Sequence, residues 1–147
     1  MVSYKIEVYL ERKSWMKLSK INVRFQSDIE KVYSAITCVE EYRWRSDLAD
    51  VKLLDREHFI ETSHSRKTLK YTIIAKHPTT RFELIYENQR VKGHIVVLLQ
   101  AKDEGCEVDF IEECESKNRL LKRFENMSKV RKKQKQYVED LKLYLNE

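Results

Sequence analysis

The sequence predicts an α+β fold made of an antiparallel sheet of about seven strands and one long C-terminal helix. Three observations predict it. From residue 51 to 116, six alternating apolar segments follow one another, joined by five connections too short for the crossovers of a parallel sheet. Ahead of them a strand-like segment runs directly into a helical one, and behind them residues 118 to 146 hold neither glycine nor proline.

The first strand is predicted in "MKLSKINVRF", residues 16 to 25, where Leu18, Ile21, Val23 and Phe25 alternate with polar residues. The helix that follows, "SDIEKVYSAIT", opens on Ser27 as N-cap, carries acids in its first turn, and repeats Ile29, Val32, Tyr33 and Ile36 at helical spacing. The earlier "YKIEVYLE" also alternates, so residues 1 to 15 hold an extra N-terminal strand or lengthen the first. The six later strands are "VKLLDRE", "HFIETSHSR", "TLKYTIIAKH", "RFELIYENQ", "GHIVVLLQAK" and "CEVDFIEECE". Pro78, Gly93 and Gly105 fall where turns are wanted. The last segment, Asn118 to Asn146, is one helix of about 43 Å at 1.5 Å per residue. Its stripe runs Leu120, Phe124, Met127, Arg131, Gln134, Val138, Leu141, Leu145, apolar at both ends and polar in the middle.

Length and composition fit one domain across residues 1 to 147, with 41% apolar residues and no need of a disulfide or metal. The opening "MVSYKIEVYLERKSW" lacks the apolar run of a signal peptide, and no stretch is apolar for long enough to cross a bilayer. A cytoplasmic protein without integral membrane association is the expectation. Three cysteines without CxxC spacing fit that compartment as buried thiols, and Cys106 and Cys114, about 26 Å apart along one strand, cannot bridge. The net charge of +5 is local, since residues 117 to 135 carry nine Lys or Arg against Glu125 alone.

No chemical motif stands out. His58, His64, His77 and His94 show no metal-binding spacing, and there is no GxSxG, P-loop or dinucleotide fingerprint, so neither a metal nor a cofactor is expected. "YRWR", residues 42 to 45, and "KVRKKQKQ" together suit single-stranded bases and phosphates. Glu40, Glu41, Asp47 and Asp50 flank the first motif and no RNP, KH or zinc pattern is present, so no nucleic acid is expected and a solvated basic helix face is the commoner cause.

Three stretches carry a resemblance: "INVRFQSDIEKVYSAITCVEEYRWRSDLADVKLLD", "KHPTTRFELIYE" and "GHIVVLLQAKDEGCEVDFIEE". In order, they resemble the strand, acid-capped helix and Trp-containing second helix, then the "P..R" hairpin, then the closing hairpin of the START-like superfamily, also called SRPBCC or polyketide cyclase-like. The likeness spans about residue 16 to the C-terminus. It implies the helix-grip fold, a curved sheet wrapped around the C-terminal helix with two short helices after the first strand. It also implies a cavity between sheet and helix for a small hydrophobic or amphipathic molecule.

Strand parity then proposes the lining. Phe59, Tyr71 and Ile73 come from the first half of the meander, with Phe82, Leu84 and Tyr86 from the next strand. Val96 and Leu98, then Val108 and Phe110, come from the closing hairpin, with His94 beside Gly93. Ile95, Val97 and Leu99 occupy the opposite parity, so that strand is apolar on both faces. The helix adds Met127, Arg131 and Gln134, the last two placed to hold an acidic or hydrogen-bonding head group; a small rotation would instead turn both to solvent. Trp44 either anchors the end of the core or lines the ligand site, with Arg45 and Asp47, or Arg43 and Asp50, pairing locally.

Ligand binding is therefore the expected function. The alternatives are a cyclase-like enzyme using His94, Glu112, Arg131 and Tyr71, whose bland reading is paired charge, and an interaction module using the basic helix.

Overall fold

The computed structural model describes residues 18 to 118 and 127 to 147. Within them the chain forms β1 (Ser19–Phe25), α1 (Ile29–Thr37), β2 (Leu48–Leu53), β3 (His58–Ser63) and β4 (Thr68–His77). It continues with β5 (Arg81–Glu87), β6 (Val91–Ala101), β7 (Cys106–Ser116) and α2 (Met127–Tyr144). All pairings are antiparallel and the strand order is β1-β7-β6-β5-β4-β3-β2, a meander whose last strand turns back to pair with the first. The expected extra strand in residues 1 to 15 and the first turns of the expected long helix, residues 119 to 126, lie outside the described residues.

One apolar cluster joins Val32, Tyr33 and Ile36 of α1 and Val130, Leu141 and Leu145 at the C-terminal end to one face of the sheet. This inner face is built from cross-strand rows. Phe59, Tyr71, Tyr86, Gly93 and Cys114 form one row, followed by Ile73, Leu84, Ile95, Glu112 and Ser19. Phe82, Val97, Phe110 and Ile21 form the next.

That register corrects the parity of β6. Val97 pairs with Phe82 and Phe110, so Ile95, Val97 and Leu99 face inward, and His94, Val96 and Leu98 face out. A side-chain period of two means that one residue of register flips the whole strand, and apolar residues on both faces leave the sequence pattern neutral between the choices. Val96 and Leu98 instead pack with Ile111 in a separate outer cluster.

The region after α1 also differs from expectation. Residues 38 to 47 form successive turns in place of a second short helix. A ten-residue connection is short for a helix, whose first turn is costly to nucleate, and tertiary partners hold the turns instead. The Ser46 amide and hydroxyl both donate to Asp140 Oδ2 of α2 at 2.8 Å.

At the start of α1 the N-cap position falls to Asp28, whose side chain makes no capping bond. The expected capping residue, Ser27, is itself held, because Glu147 accepts from the Gln26 amide at 2.7 Å and from the Ser27 hydroxyl at 2.8 Å.

Helix α2 settles which way its polar centre turns. Val130, Gln134 and Leu141 are buried, Tyr137 is partly so, and Arg131 is exposed beside that stripe. Burying Gln134 is tolerated because its polar atoms are met. Its Oε1 accepts from the Ser19 hydroxyl at 2.6 Å, and its Nε2 donates to the Ser19 carbonyl at 3.0 Å and to that of Phe110 at 3.4 Å. Gln134 is thus a seam between α2, β1 and β7.

Candidate functional site

Two groups of polar side chains sit among the apolar rows of the inner face. The first is centred on Arg45, in the turns before β2. Its Nη1 donates to Glu61 Oε2 of β3 at 2.7 Å, its Nη2 donates to Asp47 at 2.9 Å, and its guanidinium lies 5.1 Å from the centre of the Tyr137 ring. Burial pulls the Arg45 pKa down, but Glu61 and Asp47 outweigh it and hold it above its ordinary value. A buried ion pair needs this close geometry to offset the loss of hydration of both partners.

The second group is Glu112 of β7 with Tyr86 of β5. The Tyr86 hydroxyl donates to Glu112 Oε2 at 2.6 Å. The Tyr86 ring reaches that position by lying directly over Gly93, where a Cβ would come within 2.1 Å of ring carbon Cζ. Burial pushes the Glu112 acid up to about 7 and the nearby charge of Glu61 adds to it, against the lowering effects of the Tyr86 hydrogen bond and of Lys133. Burial also raises Tyr71 and Tyr86, with Glu61 adding to the first and Glu112 to the second. These phenols remain protonated donors.

This titration has a stability consequence. Because the folded pKa of Glu112 lies near 7 and the usual value is 4.5, the folded protein holds a proton that the unfolded chain has released between those values. The contribution is full below the usual carboxylate range and is lost as pH rises through about 7. Glu112→Gln is expected to flatten the fall in unfolding free energy between pH ~5 and ~8, a difference of about 3 kcal/mol. Urea denaturation across that range checks it, and a variant whose stability tracks the parent at every pH contradicts it.

Tyr71 links the two groups, stacked on Phe59 at 4.9 Å and tilted against Tyr86 at 5.3 Å. Trp44 closes the end near Arg45. Its ring stacks on Tyr144 at 5.6 Å and meets the edge of Tyr137 at 5.2 Å, and its buried N–H has no acceptor among the described residues. Trp44, Arg45, Glu61 and Tyr137 share the lining of a cavity of about 20 Å³, room for a single water. Of the two local pairings open from the sequence, the structure forms Arg45 with Asp47 and adds Glu61.

The structure gathers Phe59, Tyr71, Ile73, Phe82, Leu84 and Tyr86 on the inner face with Val108, Phe110 and Met127. It separates His94, Val96 and Leu98 onto the other face. Arg131 stays at the rim, its Nε donating to the Ser19 hydroxyl at 3.3 Å. Along the row that ends at Ser19, Ile73, Ile95 and Glu112 keep accessible surface although they face inward.

His94 does not meet Glu112, because the register pairs it with Glu113. Its Nε2 lies 2.6 Å from Glu83, which also pairs with Arg81, and its Nδ1 lies 3.7 Å from Glu113. His94 and Glu113 line a groove of about 440 Å³ on the outer face, together with Lys70, Thr72 and Ile85. Most of its charges are already matched, with Lys92 on Glu115 and Lys117 on Glu87. Among the described residues no cluster of three His, Cys, Asp or Glu side chains is placed to hold a metal, and no helix is long and apolar enough to cross a membrane.

Sequence reasoning missed Arg45 with Glu61 as an interior pair. The available signal was parity, since Glu61 shares the core side of β3 with Phe59. Glu112 carried the same signal beside Val108 and Phe110.

No protein-family model matches the chain, and no curated protein matches it. Solved structures do. A START superfamily protein from Mycobacterium smegmatis aligns at 11% identity and a TM-score of 0.66, over 87% of this chain and 93% of its own. The protein Ara h 8.0201 aligns at 14% identity and a TM-score of 0.71, over 87% and 96%. DynU16, from the dynemicin biosynthetic locus, aligns at 11% and 0.68, over 88% of this chain and 47% of its own. At such identities the likeness shows architecture alone. The chain has the helix-grip fold of the START-like proteins.

Proposed function

We propose that this protein binds a small hydrophobic or amphipathic molecule between the inner face of its sheet and its C-terminal helix. The observation that carries this reading is the row of Ile73, Leu84, Ile95 and Glu112, in which Ile73, Ile95 and Glu112 keep accessible surface around a buried Leu84, and which runs beside the Tyr71 and Tyr86 rings. Apolar surface kept on an inward face, with a few convergent polar groups, is the composition of a small-molecule site. An apolar body would leave water along the row and against the aromatic rings.

The neutral apolar dye N-phenyl-1-naphthylamine tests this. One dye per chain, brightening on binding and displaced by decanol, is the expected result. Dye that fails to brighten, or that decanol does not displace, contradicts it.

A second reading rests on the Glu112 acid lying near 7 beside a phenol. In that reading the protein is a cyclase-like enzyme. The Glu112 carboxylate takes a proton from a carbon next to a carbonyl and returns it, while the Tyr86 or Tyr71 hydroxyl holds the enolate oxygen. Glu112-dependent exchange of the α-hydrogens of 2-decanone in heavy water supports it, and exchange no faster than in buffer counts against it.

A further inference from the structure

The sign of charge on the inner face points to the kind of head group the site takes. Arg45 lies over the Tyr137 ring, and it is engaged by Glu61 and Asp47. Arg131, the residue placed by sequence to hold an acidic head group, is exposed and donates to Ser19 at the rim. An anionic ligand therefore meets no comparable partner among the described inner-face residues.

Glu112 offers the opposite. One carboxylate oxygen accepts from Tyr86, and the carboxylate stands in the row of Ile73, Leu84 and Ile95. Among the described residues, those that act on it include Tyr86 from β5, Lys133 from α2, Glu61 from β3 and Arg45 from the turns before β2. Arg45 is already matched by two acids, and Lys133 is exposed. The rings of Tyr71 and Tyr86 lie alongside, and aromatic faces attract cations as well as apolar groups.

We propose that the ligand carries a basic amine, with its ammonium bound by the Glu112 carboxylate beside the Tyr86 hydroxyl and its apolar body along Ile73, Leu84 and Ile95. The proposal rests on the binding reading above and adds the head group. A charge-assisted hydrogen bond between ammonium and carboxylate is stronger than the one a neutral alcohol makes, most of all where water is scarce.

Isothermal titration calorimetry with decylamine, decanol and decanoate separates the possibilities, because the three share a chain and differ in head group. At pH ~8 the amine is expected to bind about tenfold tighter than the alcohol, and the carboxylate weakest. The amine preference is expected to shrink as pH falls through about 7, because protonation removes the carboxylate while the ligand stays charged. Glu112→Gln, which keeps the shape of the side chain and removes its charge, is expected to abolish the preference of amine over alcohol. Decanoate binding as tightly as the amine, or an amine preference that survives Glu112→Gln, overturns the proposal while leaving the binding reading standing. If decanol fails to bind as well, the binding reading falls with it.

Discussion

Arg45→Met is expected to lower the unfolding free energy by about 3–5 kcal/mol. The substitution keeps much of the side-chain length and removes the charge, so Glu61 is left buried without its nearest cation. Stripping one partner from a buried pair is far more damaging than losing the pair as a whole, because the remaining charge keeps its desolvation penalty. The double variant Arg45→Met with Glu61→Leu is therefore expected to recover most of the loss. Urea denaturation of the two single variants and the double checks this. A cost for Arg45→Met below about 1 kcal/mol, the scale of a solvated surface pair, would show that the pair is not buried as described.

Gly93→Ala is the second change with a large expected effect, and its cause is steric. A Cβ at Gly93 would stand 2.1 Å from Cζ and 2.3 Å from the hydroxyl oxygen of Tyr86. The ring must move, and the Tyr86 hydrogen bond to Glu112 goes with it. Overpacking of this kind costs about 1–3 kcal/mol, and the lost bond to an ionisable group adds about 1.5–3 kcal/mol where Glu112 is charged. In a Tyr86→Ala background the same glycine change is expected to be nearly neutral, because the obstructing ring is gone. Additive losses in the two backgrounds, measured by denaturant unfolding, would contradict the close approach.

Both effects belong to contacts that the sequence carries only in part. Local pattern was enough for β4, whose bounds coincide with the alternating segment Thr68–His77, since one face alternates cleanly and turn residues follow at Pro78 and Thr79. It was not enough for β6, because Ile95 to Leu99 is apolar on both faces and only pairing with Phe82 and Phe110 fixes which side is inner. The missing second helix has a similar origin. Ser46 and Arg45 find their partners on α2 and β3, and contacts at such sequence separation leave no periodic trace.

The candidate site was legible to the extent that parity was legible. Phe59, Tyr71, Phe82 and Tyr86 fell on the inner face because their strands are apolar on one side. Gln134 and Arg131 looked equivalent on a helical stripe, yet a rotation of one position buries the first against Ser19 and leaves the second at the surface. The acid that matters, Glu112, stands next to Glu113 in the sequence, and the strand sends the two to opposite faces.

The most direct test of the account is where an apolar ligand touches the sheet. With isoleucine δ-methyl groups carbon-13 labelled, titration with decanol is expected to shift the signals of Ile73 and Ile95 on the inner face and leave Ile85 in place. Ile85 lines the outer groove, so a shift confined to it would put the ligand on the opposite face and contradict the account.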